Sequence, residues 1–377
     1  MAESLKRTLL YPWHAEHGAR FAEFAGWDMP IQYSLGALGE HRLVRKAAGL
    51  FDIAHMGRFL VRGTKAGPLL DHLLTAPLGS LPVGESRYAL LCNEDGGVLD
   101  DVFVYRFDGT SAVTQAQWMV VVNAANLARD LEWMVDHARS FNVSIDDVSD
   151  TLYMIALQGP QAIPIADAVS GSRIGPVPRF GIFEGDVAGV PCIAGRTGYT
   201  GEDGVELYFS AEKVKAVWEA ILTAGQKNAI DVGAIGLAAR DSLRFEPGFA
   251  LYGHELDPAT NPLEAGLKWA CDLSKEFIGR DAIVEAASRG LSKRLVTVKL
   301  VEKGVPRPGC AVYHDSGSDP IGNVVSGMYA PTLNGYFANV FIRPDAAASG
   351  TELAVEIRGQ KKAAVVVKRP IYRPAYR

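Results

Sequence analysis

Apolar residues fall at helical spacing from about Leu38 to Ala48 and stop at Gly49, after which Phe51 to Val61 alternates in part, as a strand does. The change of period marks a first boundary. Between Arg87 and Tyr105 two β-rich runs, RYALLC and VLDDVFVY, flank Asn93-Glu94-Asp95-Gly96-Gly97, a turn whose glycines tolerate positive φ. A β-hairpin is predicted there, its second strand buried on both faces. A third strand covers Trp118 to Val122 and ends at Asn123, and a helix follows from about Ala124 to Ser140. LYMIALQGP predicts a strand running into Gly159-Pro160, and GVPCIAGRTGYTGEDGVELYFS predicts strand, glycine-rich loop, strand. Val214, Val217, Trp218, Ile221 and Leu222 form the apolar stripe of a helix lying on a core. From about Leu295 the pattern turns to strands broken by Gly, Pro, Asn and Asp, which predicts a separate C-terminal all-β domain.

Carboxylates inside apolar strands are the first chemical signal. In the run from Val98 to Tyr105, alternation groups Asp100 with Val98, Val102 and Val104, and Asp101 with Leu99, Phe103 and Tyr105. A carboxylate in such a setting is costly unless it is hydrogen-bonded or put to use. The two aspartates either tie down the hairpin or meet a ligand, and the Tyr105 phenol beside Asp101 favours a pocket on that face. Glu206 repeats the situation in the strand after the loop Gly198 to Gly204, whereas Glu202 and Asp203 read as solvated acids of a flexible turn. Arg240 and Arg244 stand at i, i+4 on one helix face. They either clamp an anionic ligand or pair with acids such as Asp241 or Glu246.

Composition narrows the class. A chain of 377 residues should form two or three domains. With 48% hydrophobic and 21% charged residues it falls among folded, soluble proteins. The net charge of −5 is spread without a basic stripe, which argues against nucleic acid. No run reaches about 20 apolar residues, and the N-terminus lacks a signal-peptide core or a transit pattern, so no membrane association and a bacterial cytoplasmic location are expected. Cys92, Cys192, Cys271 and Cys310 lie far apart and read as four buried thiols, and His14 and His17 as surface or capping residues, so no metal is expected. Fingerprints of dinucleotide, ATP, serine-hydrolase and zincin chemistry are lacking.

Several short motifs then occur in a recognisable order. They are Phe24-Ala25-Gly26-Trp27 with Pro30 and Gln32-Tyr33, Phe51-Asp52, His55-Met56, Gly96-Gly97 with Leu99-Asp100-Asp101, Leu157-Gln158-Gly159-Pro160, Gly198 to Gly204, and Ala239-Arg240-Asp241-Ser242-Leu243-Arg244. Spread over roughly residues 6 to 376, the series resembles the glycine cleavage T-protein family. That resemblance implies an α+β fold, a three-domain ring with folate in its central opening and a C-terminal all-β barrel or jelly-roll domain. It implies a discontinuous first domain, 1–50 with 142–250, a second over 51–141, and a linker with the C-terminal domain over 251–377. The implied activity is transfer of the one-carbon unit of an aminomethyl group, carried on a separate lipoylated H-protein, to tetrahydrofolate, without a metal and by a monomer. The products would be 5,10-methylenetetrahydrofolate, ammonia and dihydrolipoyl H-protein.

By the same resemblance Asp101 is the catalytic carboxylate and Asp100 structural, while Met56, Tyr105, Asn123, Tyr199, Glu206, Arg240 and Tyr376 bind folate. Two rival readings share the fold. One is a folate-dependent demethylase of a small methylated donor. The other is a non-enzymatic folate-binding protein that relies on a loop cysteine, and the loop Arg196-Thr197-Gly198-Tyr199-Thr200-Gly201 has none.

Overall fold

The strand Leu152–Gln158 is buried at every position and sits inside a six-stranded sheet. Its order is Ile182–Val187, Val190–Gly195, Gly204–Ser210, Leu152–Gln158, Ala48–Asp52 and Val232–Ala234; only the last pair is parallel. Residues of the central strand alternate between two cores, as the two-residue period of a strand requires. Tyr153, Ile155 and Leu157 join a cluster under the helices Ala162–Ser170 and Val214–Lys227, with Trp218 at its centre. Leu152, Met154 and Ala156 join the opposite cluster with Leu60, Tyr105, Met119, Val121 and Tyr208. In the predicted helical stripe Val214, Val217, Trp218 and Ile221 are buried and Leu222 half-buried.

The computed structural model describes residues 4–314 and 317–376, which divide into two compact units. The first comprises 1–71, 77–89 and 102–243 and the second 72–76, 90–101 and 244–377, within the described residues. The hairpin forms as predicted, from Glu85–Cys92 and Val98–Arg106, in a five-stranded sheet completed by Trp118–Val122, Gly57–Arg62 and Ser144–Asp147. In the second unit six strands close into a barrel in the order Arg294–Leu300, Gly335–Ile342, Pro320–Ala330, Ala311–His314, Glu352–Ile357 and Gln360–Val367. Val298, Val312, Val340, Leu353 and Val355 fill it. The mixed helix and sheet content and the all-β C-terminal barrel agree with the expectation from sequence. Among the described residues no helix is long and apolar enough to cross a membrane.

Three expectations need correction. The single strand expected from Phe51 to Val61 is two strands, Ala48–Asp52 and Gly57–Arg62, in different sheets. The break is a turn in which the Met56 N–H donates to Ile53 O at 3.1 Å, and the buried Arg58 guanidinium donates to Ala54 O at 3.0 Å and also to Met56 O and Ser149 O. His14 is wholly buried rather than at the surface. Its Nε2 lies 3.0 Å from Asp52 Oδ2 and its Nδ1 2.9 Å from the Tyr33 hydroxyl, tying the short helix Tyr11–Glu16 to the sheet. Of the four cysteines only Cys92 and Cys192 are fully buried, and Cys271 and Cys310 are half-buried.

These buried acids set the response to pH. Burial alone would raise Asp52, but His14, Thr8 and the Ala54 N–H outweigh it and hold the carboxyl below its ordinary range. Burial likewise opposes Glu255 in the second unit, where Arg244, Ser326, Asn339 and the Leu251 N–H hold it down. A depressed folded-state pKa adds stability above the unfolded value and loses it as pH falls through the folded one. The melting temperature is therefore expected to drop steeply below about pH 4, the unfolded carboxyl range, and thermal scans between neutral and acid pH would show it. A flat profile there would contradict the assignment.

Candidate functional site

The loop between Gly195 and Gly204 is built by hydrogen bonds to side chains beneath it, not left flexible. Gln158 Nε2 donates to Thr197 O at 3.0 Å and Thr200 Oγ1 donates to Gln158 Oε1 at 2.9 Å. A Cβ at Gly198 would overlap the Gln158 amide, so only glycine fits that close approach. Arg45 Nη1 donates to Thr200 O at 2.7 Å and to Glu202 Oε1 at 2.9 Å, and Nη2 donates to Leu243 O at 3.1 Å. Arg196 forks onto Asp203 at 3.1 and 2.6 Å and also holds the Gly175 and Val177 carbonyls. Glu202 and Asp203 are thus paired acids of a fixed loop, and the solvated reading is overturned. The arginines that pair with them, Arg45 and Arg196, lie 157 and 7 residues away along the chain, and only the second was near enough to be read locally.

Glu206 stands at the end of the sheet face that carries the second core. In Gly204–Ser210, Val205, Leu207 and Phe209 point to the helix side, so Glu206 and Tyr208 point to the other. The Thr197 hydroxyl donates to Glu206 Oε2 at 2.6 Å, the Tyr105 hydroxyl donates to the same oxygen at 3.2 Å, and the Tyr208 hydroxyl donates to that of Tyr105 at 2.9 Å. Gly195 pairs across the ladder with Glu206, and a Cβ there would lie 2.6 Å from the Tyr105 ring; its absence lets the phenol reach the carboxyl. Burial pushes Glu206 up from the ordinary carboxylate range, opposed by Thr197, Tyr105, the charge of Arg240 and the Tyr208 hydroxyl. Tyr105 is wholly buried and supports Glu206 from below, while Glu206 itself is half-buried.

The same unit holds four other residues named from sequence. The Arg240 guanidinium lies 4.8 Å from the centroid of the Tyr199 ring, an arrangement that stacks a cation on an aromatic face. Met56 is half-buried against the core cluster that holds Tyr105. Beside it His55 is 1% exposed, and neither ring nitrogen has a hydrogen-bond partner among the described residues. Burial first, then the charge of Arg240, push its pKa down to about 3, so the ring is neutral. Asn123 is half-buried at the end of Trp118–Val122.

The remaining named residues belong to the second unit. In Val98–Arg106, Asp100 is 0% exposed and Asp101 half-buried. Tyr376 is 51% exposed. Arg244 is no half of an anion clamp: it is buried, its Nη1 donates to Glu255 Oε2 at 3.0 Å and to Phe249 O at 3.2 Å, and the pair is enclosed. The i, i+4 spacing placed Arg240 and Arg244 on one helix face, but Arg244 is buried and Arg240 half-buried. Thr197 and Tyr208 were not singled out from sequence. Alternation would have found Tyr208, two residues beyond Glu206 on the same face, whereas nothing in the loop's composition marks Thr197.

A strand-borne carboxyl backed by hydroxyls, within reach of the charge of an arginine that lies on an aromatic ring, sits in an α+β chain with a C-terminal barrel. The chain belongs to the glycine cleavage T-protein family: residues 10–275 match the GCVT N-terminal domain and residues 293–373 the glycine cleavage T-protein C-terminal barrel domain. It is 43% identical over 388 residues to an aminomethyltransferase of Symbiobacterium thermophilum, covering 100% of both chains. It is 39% identical over 377 residues to that of Lysinibacillus sphaericus, covering 99% of each. The crystal structure of glycine cleavage system aminomethyltransferase T from Bartonella henselae is similar to it with a TM-score of 0.89 at 35% identity, over 98% of this chain and 99% of that one.

Proposed function

We propose that this chain is an aminomethyltransferase that passes the one-carbon unit of an aminomethyl group, presented on a lipoylated H-protein, to tetrahydrofolate. The observation that carries the reading is the Glu206 carboxyl, with Thr197 and Tyr105 converging on Oε2, in a chain that matches aminomethyltransferases end to end. The residues fit the cosubstrate: a carboxylate acceptor suits the N–H-rich edge of a pterin, and Arg240 suits a glutamate carboxylate, which a guanidinium binds bidentately. Tetrahydrofolate supplies the amine that takes up the carbon. Tyr199 offers a ring face beside Arg240, and Met56, Asn123 and Tyr376 complete the proposed contacts. Asp101 orients the reacting amine and stabilises the positive charge that develops as the carbon is transferred, a task for a preorganised carboxylate. The protein acts as a cytoplasmic monomer with a separate carrier.

The test mixes the purified chain with aminomethylated H-protein and tetrahydrofolate and follows ammonia and 5,10-methylenetetrahydrofolate. Folate-dependent formation of both is expected. Turnover of a small methylated amine in place of H-protein would move the chain to the demethylase reading, and no folate-dependent product would overturn the proposal.

A further inference from the structure

The three hydroxyls behind Glu206 form a chain with a definite direction. Each hydroxyl has one proton. Tyr208 gives its proton to Tyr105 at 2.9 Å, which frees the Tyr105 proton for Glu206 Oε2 at 3.2 Å, and Thr197 gives its own to the same oxygen at 2.6 Å. Tyr105 also lies 3.1 Å from Thr197 Oγ1, and the Tyr208 donor occupies a lone pair of its oxygen, which keeps its proton from being spent on Tyr208. Tyr105 and Tyr208 are both 0% exposed, which leaves water no part in settling the order. Their rings meet edge to face at 5.4 Å, and Gly195 leaves room for the Tyr105 phenol.

We propose that Tyr208 and Thr197 are positioning residues for cosubstrate recognition: through Tyr105 and directly, they saturate Glu206 Oε2 so that Oε1 is presented, ionised and fixed in rotamer, to the N–H donors of the pterin edge. The inference rests on the folate reading above and names residues that touch no ligand themselves. Two features of the site require such support. Burial drives Glu206 towards its protonated form, in which one oxygen would become a donor and clash with a donor-rich edge. A strand glutamate also has freely rotating terminal torsions unless its carboxyl is held. Donors aimed at one oxygen answer both, because hydrogen bonds to the charged form favour that form.

Removing Tyr208's hydroxyl leaves the ring and its packing in place. Tyr208→Phe is expected to bind tetrahydrofolate about tenfold more weakly, the scale of one hydrogen bond, with kcat at saturating folate little changed. The sign of the pH effect follows: with less donation to the ionised form the Glu206 pKa rises further, so affinity is lost at a higher pH than in the wild type as the solution is acidified. Thr197→Val should act in the same direction and Thr197→Ser should restore binding. In a Glu206→Gln background Tyr208→Phe should add nothing, since both act through one carboxyl.

Binding is measured by calorimetry with tetrahydrofolate under reducing conditions across a pH series, on the full chain. Wild-type protein that binds while Tyr208→Phe and Thr197→Val match it in affinity and pH profile overturns the relay and leaves the folate reading standing. Wild-type protein that does not bind overturns the folate reading and the relay with it. If Tyr208→Phe fails to fold, Thr197→Val and its serine rescue decide the matter alone.

Discussion

Asp101→Asn is expected to lower kcat for methylenetetrahydrofolate formation by about 10²- to 10⁴-fold, the range of a positioned acid, base or charge-stabilising group. The substitution keeps shape and one acceptor oxygen while removing the charge and turning the other oxygen into a donor amide. Strand alternation in Val98–Arg106 puts Asp101 with the half-buried Phe103, on the face that also carries Tyr105, whereas Asp100 faces the other way and has no exposure at all. Asp100→Asn should therefore cost about 1–3 kcal/mol of stability, the scale of a disturbed buried polar group, with kcat nearly intact. Single-turnover assays on both variants, with melting curves alongside, separate the two roles. An Asp101→Asn enzyme that turns over like the wild type removes Asp101 from the chemistry.

Arg244→Met is expected to destabilise the second unit by about 3–5 kcal/mol, because it strands a buried carboxylate. Glu255 takes Arg244 Nη1 and the Leu251 N–H on Oε2, each at 3.0 Å, and Asn339 Nδ2 at 2.8 Å together with the Ser326 hydroxyl on Oε1. Three neutral donors and the charge of Arg369 remain after the change, yet the guanidinium paired directly with the carboxylate is gone from an enclosed position. The comparison that matters is Arg240→Met, one helical turn earlier, which should raise KM for tetrahydrofolate and barely move the melting temperature. Denaturant titration of both variants tests the contrast. Equal stability losses would mean that the division between a binding and a structural arginine is wrong.

That contrast also shows where sequence reading reached and where it stopped. Periodicity located the Val214–Lys227 helix, the hairpin and the Trp118–Val122 strand and gave the all-β character of the region after about Leu295, because each buries its apolar face in a local pattern. The strand acids Asp100, buried, and Glu206, half-buried, were legible for the same reason. The fates of Arg244, Glu202 and His14 were not, since their partners Glu255, Arg45 and Asp52 are 11, 157 and 38 residues away and no pattern of spacing encodes such pairings. The turn at 53–56 was missed because the run reads as continuous β, and the interruption is held by Arg58 reaching back to carbonyls. The compact units 1–71, 77–89, 102–243 and 72–76, 90–101, 244–377 interleave along the chain, which local composition does not mark.

Closure of the six strands from Arg294 to Val367 into a barrel has a consequence for the protein in concentrated solution. A ring of strands has no first or last member, so its backbone amides and carbonyls offer no template on which another chain can lay a strand. The open six-stranded sheet ends on one side with Val232–Ala234, only three residues long, and on the other with Ile182–Val187, where Glu184 and Asp186 are exposed. Shortness guards one border and charge the other, against the edge-to-edge accretion that begins many aggregates.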